Sequence, residues 1–171
     1  MGHQDHKSLV NEEVFSAPIA VLTVSDTRTF ETDESGKLMH ELITKAGHSI
    51  HYYKIVPDSR LAIKRAIEGI LKKSNVSAIL ITGGSGVSKR DLTPESVSTF
   101  FNREIPGFGE IFRALSYTEI GSASMLSRAV AGQTRNGTFI FVLPGSTSAV
   151  RLALERLILP ELRHLVWERT K

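Results

Sequence analysis

Ala78-Ile79-Leu80-Ile81-Thr82-Gly83-Gly84-Ser85-Gly86 is the stretch on which the fold turns. An apolar run of strand type enters it, and glycines follow that let the backbone fold tightly, so that its N–H groups can point at one spot. Beyond the glycines, Arg90-Asp91-Leu92-Thr93-Pro94-Glu95 reads as a helix start, with Thr93 as N-cap and Pro94 at the first helical position. A helix N-terminus offers free N–H donors and partial positive charge, and so attracts phosphate. Asp91 stands between the loop and that helix. An acid beside a phosphate cradle is repelled by the ligand unless a cation bridges the two, which points to a metal-dependent phosphate site.

The same strand-then-helix pattern precedes this stretch twice. Ile19-Ala20-Val21-Leu22-Thr23-Val24 is continuously apolar and ends at Ser25-Asp26, the pattern of a strand buried on both faces. Leu38, Leu42, Ile43 and Ala46 recur at helical spacing, and Gly47 stops that helix. A second strand over residues 49–56 ends at Pro57-Asp58, and Leu61, Ile63, Ala66, Ile67, Ile70 and Leu71 mark a second helix. Three alternations predict βαβ crossovers, hence an α/β fold with a mostly parallel central sheet. Past the helix at Thr93 the pattern loosens. A helix through Ile111, Phe112, Leu115 and Tyr117, a short strand over 127–132, an Asn136-Gly137 turn and a strand over 138–143 are expected. A last long helix follows Pro144-Gly145-Ser146, kinked or split at Pro160. Residues 1–16 read as a flexible N-terminal arm and residues 17–171 as a single domain.

Composition narrows the function classes. Of 171 residues, 41% are hydrophobic, enough for a packed core, and the net charge is +3. That balance suits a small anionic ligand. No Lys/Arg block and few aromatics argue against nucleic acid as a partner. The absence of cysteine excludes disulfides, thiolate metal sites and a Cys nucleophile. No run approaches the ~20 apolar residues of a membrane span, and residues 1–17 lack a signal-peptide core; a cytoplasmic location without membrane contact is expected.

In open parallel sheets, ligands bind beyond the carboxyl ends of the strands. Four such ends carry polar or glycine-rich residues here: Ser25-Asp26, Pro57-Asp58, residues 82–86 and Pro144-Gly145-Ser146. Their convergence on one edge weighs more than any single motif. The Walker loop and the dinucleotide fingerprint are both missing. Each signal also has a plain alternative. The glycine stretch can be only a turn, Asp58 only an N-cap, Asp91 only a solvated loop acid, and Pro144-Gly145-Ser146 only a helix entry. Ser124, Ser127 and Arg128 read as ordinary turn residues, and the dispersed histidines lack metal-ligand spacing.

Taken together, several segments resemble the MoaB/MogA family of molybdenum cofactor biosynthesis proteins, the MoaB branch above all. They are Thr23-Val24-Ser25-Asp26-Thr27-Arg28, Asp33-Glu34-Ser35-Gly36, Thr82-Gly83-Gly84-Ser85-Gly86, Arg90-Asp91-Leu92-Thr93-Pro94-Glu95, Gly107-Phe108-Gly109-Glu110, residues 124–128 and Leu143-Pro144-Gly145-Ser146. The ordered set covers residues 18–167 and is specific as a set. The resemblance implies a three-layer α/β/α sandwich assembling as a homotrimer or hexamer. It implies Mg-ATP-dependent adenylylation of the terminal phosphate of molybdopterin, with release of pyrophosphate. Asp58 and Asp91 then match the catalytic and Mg2+-binding acids. Thr82, Gly83, Gly84, Ser85 and Gly86 match the phosphate loop, and Pro144, Gly145 and Ser146 match a second loop bordering the pterin, with Ser25, Ser124 and Ser127 as further substrate contacts. The alternative is a non-catalytic molybdopterin-binding or carrier protein with the same pocket. An interaction module working through its oligomeric surface ranks last, since no extra domain or linker supports it.

Overall fold

The computed structural model describes residues 16–73 and 75–169, so the arm expected over 1–16 lies, Ser16 apart, outside the described residues. The chain runs β1 (Pro18–Val24), α1 (Glu34–Lys45), β2 (Ser49–Val56), α2 (Arg60–Lys73), β3 (Ala78–Thr82), α3 (Thr93–Ser98), β4 (Arg103–Glu104) and α4 (Pro106–Ile120). A 3-10 helix (Gly121–Leu126), β5 (Val130–Gln133), β6 (Phe139–Leu143), α5 (Thr147–Ala153), a π turn (Leu154–Ile158) and α6 (Leu159–Glu168) complete it.

The strands form one sheet in the order β2-β1-β3-β6-β5-β4. The first four are parallel; β5 runs against them and pairs antiparallel with both β6 and the short edge strand β4. Strand residues alternate between faces, and both faces are covered. Ile19, Val21, Leu80 and Phe141 pack with α1, α4, α5 and α6. Leu22, Ile79, Ile81 and Val142 pack with α2 and α3. The expected α/β/α sandwich with a mostly parallel sheet is therefore what the chain adopts. Burial of such side chains contributes about 1.5–3 kcal/mol each, so the sheet is anchored well enough for the loops at its ends to hold unfavourable conformations. The register pairs Val24 with Val56, Thr23 with Thr82, and Thr82 with Leu143, so the four parallel strands end level.

Several local expectations are corrected. Thr93 does not cap α3. Leu92 occupies the cap position without a side-chain bond, and the Thr93 hydroxyl is buried without a partner. The helix that follows is six residues long, too short to present much of a dipole. The strand expected from Ser127 starts at Val130, because residues 121–126 wind into the 3-10 helix first. The last long helix is interrupted close to Pro160 as expected, by the π turn directly ahead of it, which accommodates the backbone N–H that Pro160 lacks. His48 is a core residue: its Nδ1 accepts from the Ala17 N–H at 3.1 Å, and burial, then the nearby Arg163, holds the imidazole below its usual pKa.

Candidate functional site

The β3 and β6 loops are sewn together at the level end of the sheet. The Thr82 hydroxyl donates to the Pro144 carbonyl at 2.9 Å, and the Gly83 N–H to the Leu143 carbonyl at 3.1 Å. Gly83 has φ +99° and packs so closely on β1 that a Cβ would lie 2.2 Å from the Val24 carbonyl oxygen. Gly84, at φ +60°, is pressed between Thr93 and Asp58; a Cβ there would lie 2.3 Å from Thr93 Oγ1 and 3.1 Å from Asp58 Oδ1. Among the described residues, the N–H groups of Gly84, Ser85 and Gly86 meet no intramolecular acceptor. The donor cradle expected over residues 82–86 thus narrows to these three, since Thr82 and Gly83 hold the loop in place.

A cleft of about 370 Å³ opens beside this loop. Gly83, Gly84, Ser85, Gly86, Asp91, Ser127, Pro144, Gly145 and Ser146 all line it, while Phe112, Ile120, Leu126 and Leu152 give it an apolar wall. Ser146 also caps α5, its Oγ accepting from the Ala149 N–H at 3.3 Å. The Gly145 carbonyl accepts from Ser35 Oγ at 2.8 Å, which fixes the second loop against α1. Ser127 Oγ is buried without a partner. Three expected contacts lie elsewhere. Thr82 is buried beneath the loop, and Ser124 is buried in the 3-10 helix. Ser25 closes its own turn, its Oγ accepting from the Thr27 and Arg28 N–H groups at 3.3 and 3.2 Å, and faces a neighbouring depression with Asp26, Arg28 and Phe30.

The two acids flank the glycine loop. Asp58 touches it at Gly84, and Asp91 at Gly86, where a Cβ would lie 2.9 Å from Asp91 Oδ2. Asp58 is not an N-cap: Ser59 does that work, accepting from the Ala62 N–H at 3.2 Å. Asp58 Oδ1 is instead buried with no hydrogen-bond partner. Burial first, then the charges of Asp91 and Asp26, push its carboxyl above the usual carboxylate range, against a smaller pull down from the Leu92 N–H and Arg90. Asp91 Oδ2 accepts from the Ser88 N–H at 2.8 Å. Among the described residues no three acidic or histidine side chains converge on a metal position. Mg2+ is commonly held by one or two carboxylates, substrate phosphates and water, so the orphaned Asp58 oxygen with Asp91 alongside suits that ion.

The raised Asp58 pKa has a consequence for stability. The unfolded carboxyl has the lower pKa, so unfolding releases a proton in the window between the two values. Stability attributable to this group is complete below the unfolded pKa, about 3.9 for a free Asp, and is lost as pH rises through the folded value. Asp58→Asn is expected to raise Tm at neutral pH and to flatten stability over that window. Thermal melts of both proteins at several pH values check this; a lower Tm for the variant at pH 7 would contradict it.

Arg128 is the residue that sequence reasoning undervalued. Its backbone N–H donates to the Ser85 carbonyl at 3.1 Å, its Nε to the Gly86 carbonyl at 2.7 Å and its Nη2 to the Asp91 carbonyl at 2.5 Å; Nη1 pairs with Glu95. Burial pushes the Glu95 carboxyl up, but its own backbone N–H and the Arg128 guanidinium outweigh that and hold it below its usual range. The clamp engages the carbonyls of Ser85, Gly86 and Asp91, while the N–H groups of Gly84–Gly86 stay unpaired. Nothing in the local pattern Ser127-Arg128-Ala129 distinguishes it from a surface arginine. Arg128→Met is expected to cost about 2 kcal/mol of stability, the scale of losing charge-assisted hydrogen bonds, and to weaken binding of inorganic pyrophosphate about tenfold. Calorimetry of melting and of pyrophosphate binding reads both; unchanged pyrophosphate affinity would confine Arg128 to a scaffolding role.

Comparison with known proteins agrees with this fold. Residues 20–164 match the family described as "Probable molybdopterin binding domain". The chain is 47% identical over 169 residues to molybdenum cofactor biosynthesis protein B of Bacillus cereus, covering 98% of each, and 48% identical to the Bacillus subtilis protein of the same name, covering 98% of this chain and 97% of that one. A crystal structure of a molybdenum cofactor biosynthesis protein B superposes with a TM-score of 0.88 at 47% identity, over 91% of this chain and 96% of the other. The tungsten cofactor synthesizing protein MoaB from Pyrococcus furiosus superposes at 0.83 with 37% identity, over 91% and 98%. With the family match over residues 20–164, identity near one half to relatives of almost the same length and the same fold, the protein belongs to the MoaB/MogA family of molybdenum cofactor biosynthesis proteins.

Proposed function

We propose that this chain adenylylates molybdopterin with Mg-ATP, releasing pyrophosphate. The observation that carries the proposal is the pairing, at one loop, of three unclaimed backbone donors with a buried carboxylate oxygen that has no partner. An oxygen of the pterin's terminal phosphate attacks the α-phosphorus of ATP; the new P–O bond forms as the bond to the β-phosphate oxygen breaks, and pyrophosphate leaves with that electron pair. The attacking group is a phosphate oxygen, so no Ser or Cys nucleophile is needed. Gly84, Ser85 and Gly86 hold phosphate oxygens through N–H donors without side-chain bulk, and so fix the in-line approach. Asp58 and Asp91 are the residues that would hold Mg2+. The ion, when bound, would screen phosphate repulsion and stabilise charge on the α-phosphate.

A non-catalytic molybdopterin carrier is the second reading, favoured by the apolar wall of Phe112, Ile120, Leu126 and Leu152, which suits a flat ring whether or not ATP follows. Incubating the protein with molybdopterin and Mg-ATP separates the two: adenylylated pterin, detected by mass, supports the transferase, and pterin binding without product supports the carrier. Assembly as a homotrimer or hexamer belongs to the same proposal. Exposed Ile111, Tyr117, Met125 and Leu126 on α4 and the 3-10 helix offer apolar surface for it, and sedimentation reads the outcome. No helix among the described residues is long and apolar enough to cross a membrane.

A further inference from the structure

The α4 wall of the cleft contains two polar groups that neither the loop chemistry nor the fold uses. Phe112, Ser116, Glu119 and Ile120 recur at helical spacing and all line the cleft. Phe112 and Ser116 are buried at 1% and 5% exposure, while Glu119 and Ile120 lie at the open end of the same stripe. Neither the Ser116 hydroxyl nor the Glu119 carboxylate has a hydrogen bond or ion pair with any described residue. A helical serine commonly satisfies itself on the carbonyl one turn back, as Thr118 does on Leu115 at 2.7 Å. Ser116 does not, and although the residue as a whole is buried its hydroxyl stays open to the cleft.

We infer that Glu119, with Ser116 one turn deeper, is the specificity determinant that reads the heterocycle of the substrate. This rests on the proposed molybdopterin chemistry. A pterin is flat and apolar on its faces, which suits Phe112, Ile120 and Leu126, and it presents its 2-amino group and N3–H as two adjacent donors. A carboxylate accepts both at once, the arrangement that gives bidentate pairing its strength. The Ser116 hydroxyl donates to the ring carbonyl beside N3. Other parts of the two substrates fit worse. A phosphate would be repelled by Glu119, and the adenine edge places a donor beside an acceptor, of which a carboxylate satisfies only one. The charge thus separates the ends of the substrate: donors of the glycine loop for the phosphate, an acceptor for the ring.

The test is direct binding, with no turnover required. The probes are 6-hydroxymethylpterin monophosphate and its lumazine counterpart, in which the 2-amino group is an oxo group; ring fluorescence follows both. The wild-type protein is expected to bind the pterin at least ~10-fold tighter than the lumazine, the scale of a charge-assisted donor pair. Glu119→Ala brings that ratio to about one, and Glu119→Gln, which keeps one acceptor, gives an intermediate ratio. Affinity for inorganic pyrophosphate stays unchanged in both, which also shows the variants folded. An undiminished ratio in Glu119→Ala overturns this inference and leaves the proposed function standing. If the wild-type protein binds neither compound, the molybdopterin reading and the inference fall together.

Discussion

Asp91→Asn is expected to lower adenylylation turnover by at least ~100-fold, the scale of losing an electrostatic stabiliser, while pterin binding and Tm stay close to wild type. The substitution preserves shape. The amide oxygen can still accept from the Ser88 N–H, the bond that sets the turn of this segment, so the loop keeps its path. What disappears is a negative charge at the cleft wall beside Gly86, where on the proposed function a cation would sit between two anionic substrates. Because the phosphate donors are backbone groups on the neighbouring loop, ground-state affinity depends little on Asp91. Turnover by mass detection, pterin affinity by fluorescence and a thermal melt separate these effects. Turnover within a few-fold of wild type would remove Asp91 from the catalytic set.

Gly83→Ala is expected to be the most disruptive glycine-to-alanine change among the described residues. The residue sits at φ +99°, and its added Cβ would be 2.2 Å from a backbone oxygen of β1, which cannot swing aside as a side chain could. A left-handed conformation costs an L-residue about 1–2 kcal/mol, and overpacking adds about 1–3 kcal/mol. At about 2–4 °C per kcal/mol for a chain of this size, Tm should fall by ~10 °C. Gly107→Ala is the control: it lies in α4 with nothing within 4 Å of the added Cβ, and should leave Tm unchanged or slightly raised. Equal melting temperatures for the two variants would show that the loop relaxes, and that its contact with β1 does not fix the site.

The parallel half of the sheet was legible because its physics is local. A strand buried on both faces must be apolar throughout, as residues 19–24 and 78–81 are, and helical spacing with a glycine stop marks α1 without reference to anything distant. The irregular second half was less legible. Residues 121–129 have no dominant period, so the 3-10 helix and the late start of β5 come from packing against α4 and β6 rather than from local preference. Thr93 shows the same limit. Its type and position fit an N-cap, yet the close approach of Gly84 leaves its hydroxyl buried and unpaired.

By itself the sequence determined the fold class, the family pattern and the short set of residues from which a site is built, because strand burial, helix spacing and glycine-rich turns are written in neighbouring residues. Only the tertiary structure decided which of those residues meet. It placed Gly84, Ser85 and Gly86 with free donors and tied Thr82 and Gly83 to the end of β6. It set Ser25 apart in a separate depression and left an Asp58 oxygen buried without a partner. It also brought Arg128 from 42 positions away to hold the Gly86 carbonyl. Such contacts depend on how level strand ends and crossing loops fall in space, and no local stretch of sequence contains that information.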